Sequence, residues 1–278
     1  ETHTCVGYET ILGHKIHCHK TTGHGTLTFS KGIQQSCNPW LMTVGLRLGK
    51  ETFSNYITSF GYREKTGIDL PGEGKGVIKA AGDISDLDLA IYAFGQNFNV
   101  TLIQQITAIS AVANGGYLVT PHLLSKVTDR DGNVIRSYDT QVRRQVVSAE
   151  VCKTVSAILE EGVSTDGGAK NAYVAGYRIA AKTGTSEKKD VGAKGKYICS
   201  TVAYAPAENP QYAVIIIVDE PSRGVLYGST VAAPYVANVM ETILPYLGVE
   251  AVYSADELEH QVIEAPRVTG WNVSAVQN

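Results

Sequence analysis

The second half of the chain contains three extended segments followed by an amphipathic helix, and this succession restricts the fold more than any other feature of the sequence. The extended segments are residues 179–187, 197–204 and 212–218. Residues 206–210 join the last two segments, and their prolines are typical of a tight antiparallel connection. Apolar residues then recur at helical spacing over residues 232–247, at Val236, Val239, Met240, Ile243, Leu244 and Leu247. We predict an antiparallel sheet with this helix packed on it.

The composition is that of an ordinary globular chain. With 278 residues, the chain is long enough to bury a substantial core. Its formal net charge is -3 and its basic residues form no block, so we expect no nucleic-acid partner. The longest apolar run, residues 213–218, is far shorter than the roughly 20 residues that cross a bilayer, and it fits a buried strand.

Helices are predicted through the first half of the chain. Residues 26–35 suit a short helix, Pro39 can occupy the first turn of a second helix that ends at Gly49, and a third helix is expected over residues 51–60. Another begins near Thr101 and stops at Asn114-Gly115-Gly116. Its apolar face is predicted to be Leu102, Ile106, Ile109 and Ala113.

A hairpin and one more helix lie between this region and the strands. Residues 129–133 have the composition of a hairpin turn between two short strands. Ser148 is predicted to cap the helix that follows. The inward stripe of that helix is predicted to be Val151, Val155, Ile158 and Leu159.

Histidines and cysteines are concentrated in residues 1–25, which we predict to form a polar hairpin. Cys5 and Cys18 can close a loop in an oxidising compartment, or contribute to a zinc site with the nearby histidines. These are His3, His14, His17, His19 and His24. The spacing matches no standard zinc module, so we expect a solvated hairpin and assign no metal or other cofactor. The remaining cysteines, Cys37, Cys152 and Cys199, are predicted to be small buried residues.

Residues 179–186 combine an apolar beginning with a cation, hydroxyls and a glycine. Lys182 supplies a positive charge, Thr183 and Thr185 supply hydroxyl donors, and Gly184 lets another backbone approach closely. This pattern suits an edge strand that pairs with an extended peptide and binds its terminal carboxylate. Lys-Thr-Gly also occurs in ordinary turns, so the remaining motifs must decide between the two.

Several motifs occur together in an order that resembles a known family. They are Ser36-Cys37-Asn38, residues 66–73 (Thr-Gly-Ile-Asp-Leu-Pro-Gly-Glu), Phe94-Gly95-Gln96, Ala113-Asn114-Gly115-Gly116 and Lys182-Thr183-Gly184-Thr185. Together they resemble the transpeptidase domain of class B penicillin-binding proteins. The resemblance implies an α/β (α+β) fold like that of serine β-lactamases. In this fold an antiparallel sheet packs between helices, with an all-α subdomain beside it.

The resemblance also implies acyl transfer from the D-Ala-D-Ala end of peptidoglycan stem peptides, and binding of β-lactams that mimic this substrate. The matching motif implies that Lys182 attracts the substrate carboxylate and that Thr183, Gly184 and Thr185 bind the substrate. It also implies that the backbone N–H of Thr185 is one donor of the oxyanion hole. Ser36 relays a proton to the leaving amine, and Asn38 holds the substrate amide and the general-base lysine. The implied setting is the extracytoplasmic face of the bacterial cell membrane, among cell-wall synthesis proteins. A plainer interpretation remains, in which Ser36 and Asn38 only cap a helix.

One required motif of the family, Ser-x-x-Lys with its nucleophile, is not found at a suitable position. The only literal match, residues 186–189, follows the Lys182 strand and cannot place serine and lysine on one helical face. We therefore expect the chain to begin downstream of the nucleophile, to hold three of the family's five strands, and not to acylate alone. The strand at residues 212–218 should then expose an apolar edge, covered by a preceding segment or a second copy.

We assign residues 1–260 to a partial transpeptidase domain and residues 261–278 to a tail that weakly resembles the start of a PASTA domain. Two alternatives to the transpeptidase remain open. One is a non-catalytic protein that senses β-lactams or scaffolds wall synthesis, and the other is a serine β-lactamase, for which we find no deacylating glutamate.

Overall fold

The computed structural model describes residues 1–163, 166–188, 195–222, 224 and 226–259. It begins with four short strands, β1 (Thr2–Cys5), β2 (Tyr8–Ile11), β3 (His14–His17) and β4 (Gly25–Thr28). Strand β1 pairs with β4, and β2 pairs with β3 in the predicted hairpin. Leu12 and Gly13 at the tip both have positive φ, as two-residue hairpin turns require. The helix predicted from residue 26 is wrong at its start, because residues 26–28 belong to β4.

Five helices follow. They are α1 (Phe29–Gln34), α2 (Asn38–Leu48), α3 (Lys50–Ser59), α4 (Asp86–Ala93) and α5 (Leu102–Ala113). Sequence reasoning did not predict α4, although Ser85 and Asp88 form a capping box at its start. Helices α2 and α4 pack so closely that a Cβ on Gly45 would lie 2.4 Å from the Cβ of Ala93. A cluster around Leu89 and Tyr92 forms the core of this all-α part.

The buried face of α5 differs from the predicted one. Leu102 is 50% exposed, whereas Gln104 is 1% exposed. The amide of Gln104 bonds the backbone of the chain segments that lie on either side of the loop at residues 66–73. The orientation of the helix follows the hydrogen bonds of the buried Gln104 amide rather than the burial of its most apolar side chains.

Two small antiparallel pairs and a helix lead to the main sheet. Strands β5 (Tyr117–Thr120) and β8 (Gln141–Gln145) pair outside the hairpin of β6 (Lys126–Thr128) and β7 (Val134–Ser137), and α6 (Ala149–Glu161) follows. Ser148 caps α6 as predicted. Val151 is 48% exposed, so it is not part of the inward stripe. Cys152 and Ser156 face inward instead, and the hydroxyl of Ser156 bonds that of Tyr204 at 2.7 Å.

The main sheet has three antiparallel strands in the order β11-β10-β9. They are β9 (Ala180–Glu187), β10 (Tyr197–Ala205) and β11 (Tyr212–Asp219), followed by helices α7 (Gly228–Val231), α8 (Ala233–Tyr246) and α9 (Ala255–Glu259). One face packs on α8 through Val236, Met240 and Leu244, as predicted. Leu247 is 42% exposed, because α8 ends one residue before it. The other face contacts α5 and α6.

Both outer strands of this sheet keep one edge without a strand partner in the part of the chain that the structure describes. The three-stranded sheet and the unpaired edge of β11 were both predicted. Among the described helices, none is long and apolar enough to cross a bilayer. The suggested PASTA-like tail at residues 261–278 lies outside the described residues.

Candidate active site

Lys182 and Ser36 meet at the unpaired edge of β9. Lys182 Nζ donates a hydrogen bond to Ser36 Oγ and another, at 2.9 Å, to the carbonyl oxygen of Thr183. The two side chains are 146 positions apart in the sequence. The fold thus brings together an ammonium group and a hydroxyl beside a strand edge that has no strand partner among the described residues.

Ser36 lies in the turn between α1 and α2, in an uncommon backbone conformation. Its φ is 49°, in the left-handed region that residues other than glycine rarely adopt. The turn is closed by a bond of 2.9 Å from the N–H of Cys37 to the carbonyl of Gly32. A Cβ on Gly32 would lie 1.9 Å from Trp40 Cδ1, so α1 and α2 approach this closely only with glycine there.

Asn38 begins α2 on the other side of Cys37. Its side-chain amide donates to the carbonyl of His17 at 3.1 Å, and so ties the start of α2 to the N-terminal hairpin. The described contacts of Asn38 therefore do not include Lys182. Its expected roles toward the substrate amide and the general-base lysine stay predictions.

Burial of Lys182 changes its acidity. The side chain lies between β9 and the Ser36 turn, and loss of hydration disfavours its charged form. This lowers the pKa of Lys182 from its ordinary 10.5 to about 8. The group is therefore cationic at neutral pH, yet able to exchange its proton close to that pH.

The backbone of Thr185 presents its polar groups to the open edge of β9. Its carbonyl accepts a bond of 2.8 Å from Gln96 Nε2, and so points away from β10. In an extended strand the N–H and C=O of one residue point to the same side, so the N–H of Thr185 also faces the open edge. An N–H in this direction is what an oxyanion hole needs.

Gln96 is a site residue to which sequence reasoning gave no role. Besides its bond to the Thr185 carbonyl, its Oε1 accepts from the hydroxyl of Ser186 at 3.2 Å. The available signal was its place in Phe94-Gly95-Gln96, directly after α4. Contact across 89 positions of sequence could not be inferred from that position alone.

The far face of the Lys182 strand is closed by the start of α7. The N–H of Gly228 donates to Thr185 Oγ1 at 2.9 Å. A Cβ on Gly228 would lie 2.3 Å from the carbonyl oxygen of Gly184, and one on Gly184 would lie 2.6 Å from Ser200 Oγ. The close backbone approach here depends on Gly228, whereas the missing side chain of Gly184 leaves room for the hydroxyl of Ser200. The backbone approach expected at Gly184 itself stays a prediction.

The loop at residues 66–73 is held in shape by its last residue. The carboxylate of Glu73 accepts from the N–H and hydroxyl of Thr66, both at 2.6 Å, and from the N–H of Gly67 at 3.0 Å. Burial opposes ionisation of Glu73, but these hydrogen bonds outweigh it and hold the pKa of that carboxyl below its usual value. The loop contributes no described contact to Lys182.

The structure describes three of the four residues in the literal Ser-x-x-Lys match, Ser186, Glu187 and Lys188. Ser186 lies in β9, and Lys188 bonds the acidic residues Asp219 and Glu220. Lys189 lies outside the described residues. Residues three apart share one face on a helix but not along an extended strand, so the place of Ser186 in β9 is in keeping with the expectation that this match is a coincidence, which stays a prediction.

Four potential metal ligands converge beside the Ser36 turn, and we name them the thiol–histidine cluster. The cluster consists of Cys5, Cys18, His24 and Cys37. All five cysteines of the chain are buried and none forms a disulfide. The solvated setting expected for Cys5 and Cys18 is therefore wrong. Cys37, Cys152 and Cys199 are buried as predicted.

Comparison with known proteins places this architecture in context. The family model described as the penicillin binding protein transpeptidase domain matches residues 1–241. Stage V sporulation protein D of Bacillus subtilis is 38% identical over 280 residues, which cover 98% of this chain and 43% of that protein. Peptidoglycan D,D-transpeptidase FtsI of Escherichia coli K12 is 29% identical over 245 residues, covering 86% of this chain and 39% of that protein.

A solved structure agrees with these matches. Penicillin binding protein 3 from Mycobacterium tuberculosis, complexed with ampicillin, has a TM-score of 0.81 and 26% identity, and the match covers 92% of this chain and 59% of that one. The chain spans about two fifths of the length of the curated relatives it matches.

Proposed function

Because the chain belongs to the family of penicillin-binding protein transpeptidase domains, we propose that it forms the substrate-binding side of a serine-type peptidoglycan D,D-transpeptidase. The substrate is the D-Ala-D-Ala end of a stem peptide, and the setting is the extracytoplasmic face of the bacterial membrane. The observation that carries this proposal is the contact between Lys182 and Ser36 at the open edge of β9.

Recognition of the substrate rests on charge and on strand pairing. The stem peptide adds to β9 as an extended strand, with its backbone bonded to the open edge. Lys182, cationic at neutral pH, attracts the terminal carboxylate, and the hydroxyls of Thr183 and Thr185 bond its oxygens. The hydrogen bond from Gln96 to the carbonyl of Thr185 holds this part of the edge in an extended conformation.

The chemistry is acyl transfer. A serine gives its proton to the general-base lysine and attacks the carbonyl carbon of the penultimate D-Ala. The carbonyl oxygen takes negative charge, and the N–H of Thr185 stabilises it. The C–N bond then breaks, and the leaving D-Ala amine takes a proton through the hydroxyl of Ser36, which Lys182 contacts. An amine from a neighbouring stem peptide then attacks the acyl carbon, the ester bond to the serine oxygen breaks, and a proton from the amine returns to that oxygen. Asn38 is proposed to orient the substrate amide.

The nucleophilic serine is assigned to no residue of this chain. Ser186 lies in β9 and is not proposed for this role. The chain alone is therefore expected to bind the peptide or a β-lactam without forming a covalent acyl-enzyme. Incubation with a fluorescent penicillin should leave no label that survives denaturation, and a covalent label would overturn this part of the proposal.

Peptide binding tests the proposal directly. In an NMR titration of the isotopically labelled chain with an N-acyl-D-Ala-D-Ala peptide, signals of residues 182–185 and Ser36 should shift. Lys182→Met should weaken binding by about tenfold or more, because one charge-assisted contact is lost. Lys188→Met is the matched control, since Lys188 engages Asp219 and Glu220 and should leave binding unchanged. Equal affinity for the Lys182→Met variant and the parent chain would refute the proposal.

A further inference from the structure

The four side chains of the thiol–histidine cluster have no role in the proposed acyl transfer. Its four ligand atoms all lie within 4.8 Å of one another. Cys5 and Cys18 are 2% exposed and Cys37 is 0% exposed, while His24 is half-buried. Three thiols and one imidazole are a common ligand set of structural zinc sites.

Within the cluster, the distance between the Cys18 sulfur and the His24 nitrogen fits a metal ion bound between them. For tetrahedral zinc with Zn–S of about 2.3 Å and Zn–N of about 2.1 Å, sulfur and nitrogen ligands lie about 3.6 Å apart. Cys18 Sγ and His24 Nδ1 are 3.6 Å apart. His19 is also close, with its Nδ1 3.8 Å from Cys18 Sγ, but it is not among the residues that converge.

The backbone around the cluster is shaped to bring the ligands together. Cys5 ends β1, Cys18 follows β3, and His24 precedes β4. A Cβ on Gly7 would lie 2.0 Å from the carbonyl oxygen of Thr21, and one on Gly23 would lie 2.4 Å from that of Cys5. Both glycines have positive φ. Side chains at these two positions would overlap the neighbouring backbone. A hairpin whose turns are only solvated would not require such close packing.

We propose that Cys5, Cys18, Cys37 and His24 bind one Zn²⁺ ion in a closed tetrahedral site. The three thiols bind as thiolates and release their protons to solvent, while His24 binds as neutral imidazole through Nδ1, and no oxidation or reduction is involved. With four protein ligands, the ion has no open position for substrate or water, so its role is structural.

The position of Cys37 connects this ion to the acyl-transfer site. Cys37 stands between Ser36 and Asn38, and it is the residue before the first turn of α2. A metal bond at Cys37 holds the turn in which Ser36 adopts its φ of 49°. This consequence rests on the proposed function, whereas the metal site itself does not.

Metal content of the untagged chain, purified under reducing conditions without chelator, tests the site. Elemental analysis should find one zinc per chain. Replacement by Co²⁺ should give the absorption bands of tetrahedral cobalt together with thiolate-to-cobalt charge transfer. Removal of zinc by a strong chelator should lower the melting temperature by about 10 °C, and added Zn²⁺ should restore it.

Variants identify the ligands. His24→Ala and Cys37→Ser should weaken zinc binding at least about 100-fold in competition with a chromogenic chelator, because each removes a direct ligand. His19→Ala and Cys199→Ser are matched controls that should bind zinc as the parent does. If Cys37→Ser fails to fold, the zinc content and the cobalt spectrum of the parent chain still show whether the site binds a metal ion.

Three outcomes would overturn the site. These are a metal-free parent chain without cobalt bands, a disulfide between two of the three thiols in the reduced preparation, and a His19→Ala variant that loses zinc as strongly as His24→Ala. The peptide titration is independent of these results. Zinc binding with no peptide binding would refute only the proposed function, and the reverse result would refute only the metal site.

Discussion

The pKa of Lys182 depends on where the fold places its side chain. Its ammonium group is removed from water between β9 and the Ser36 turn, and its pKa falls to about 8. The positive charge is present below that pKa and is lost as pH rises through it. A lysine in water would keep its charge to about pH 10.

This shift predicts a pH dependence for peptide binding. Because only the protonated form attracts a carboxylate, affinity for an N-acyl-D-Ala-D-Ala peptide should fall about tenfold between pH 7 and pH 9. In Lys182→Arg, whose guanidinium stays charged, the remaining affinity should be nearly constant over that range. Titrations at a series of pH values measure both. Equal pH profiles for the two proteins would show that Lys182 does not carry the effect.

Gln96 is predicted to hold the open edge of β9 in its binding conformation. Gln96→Glu removes the donor to the Thr185 carbonyl but keeps an acceptor for Ser186. It should weaken peptide binding by about tenfold, comparable to the loss of one buried hydrogen bond. Hydrogen exchange should also quicken at residues 184–186. Unchanged exchange there, with the chain folded, would contradict a positioning role.

At the scale of elements, the contact of α2 with α4 depends on a single glycine. A Cβ on Gly45 would lie 2.4 Å from Ala93 Cβ, so the helices must separate in Gly45→Ala. We expect a loss of about 1–3 kcal/mol in the free energy of unfolding, despite the better helix propensity of alanine. Urea denaturation measures it.

Two further variants control this prediction. The added change Ala93→Gly should relieve the overlap and restore part of the lost stability. Gly82→Ala, at a position where a Cβ would meet nothing within 4 Å, should stay within about 1 kcal/mol of the parent. If Gly45→Ala is as stable as Gly82→Ala, the close packing does not limit the helix contact.

The loops around α5 depend on Gln104. Its Oε1 accepts from the N–H groups of Gly76 and Thr101 at 3.0 and 2.9 Å, and its Nε2 donates to the carbonyls of Tyr62 and Glu64 at 3.1 and 2.8 Å. Leucine at this position fills the space but leaves four backbone groups without their partner.

Gln104→Leu is therefore predicted to lower the free energy of unfolding by about 3–5 kcal/mol. The neighbouring Gln105→Leu is the matched control, since Gln105 is half-buried and accepts one bond, from the hydroxyl of Tyr62 at 3.0 Å. It should cost about 1 kcal/mol. Similar losses in the two variants would show that the buried amide is not the hub of these loops.

At the scale of the whole molecule, β11 has one edge without a strand partner among the described residues. In the described part of the chain, β11 bonds only β10, and its Ile217 is 43% exposed. An unpaired apolar strand edge tends to acquire another strand, from a preceding segment or a second copy. We predict that the isolated chain associates at micromolar concentrations, and that Ile217→Lys reduces the association. Light scattering over a dilution series measures it. A monomer with a cooperative melt at high temperature would argue against the prediction.

Local sequence was sufficient for most elements of this fold. Hydrophobic spacing and turn residues predicted the three strands, α8 and the hairpin at residues 129–133, because these signals act over a few neighbouring positions. The predictions failed where long-range contacts decide. Leu102 and Val151 are exposed because Gln104 and Ser156 find buried polar partners elsewhere in the chain.

Residue types and motifs were enough to indicate which chemical groups the site holds: the cation of Lys182, the hydroxyls beside it, and the motif around Ser36. The contact of Lys182 with Ser36, the bond from Gln96 to the Thr185 carbonyl, and the convergence of three cysteines with His24 became visible only in the folded chain. The physical reason is that residue type and spacing specify local geometry. Contacts between distant segments, and the burial that lowers the pKa of Lys182, exist only once the helices and the sheet have packed together.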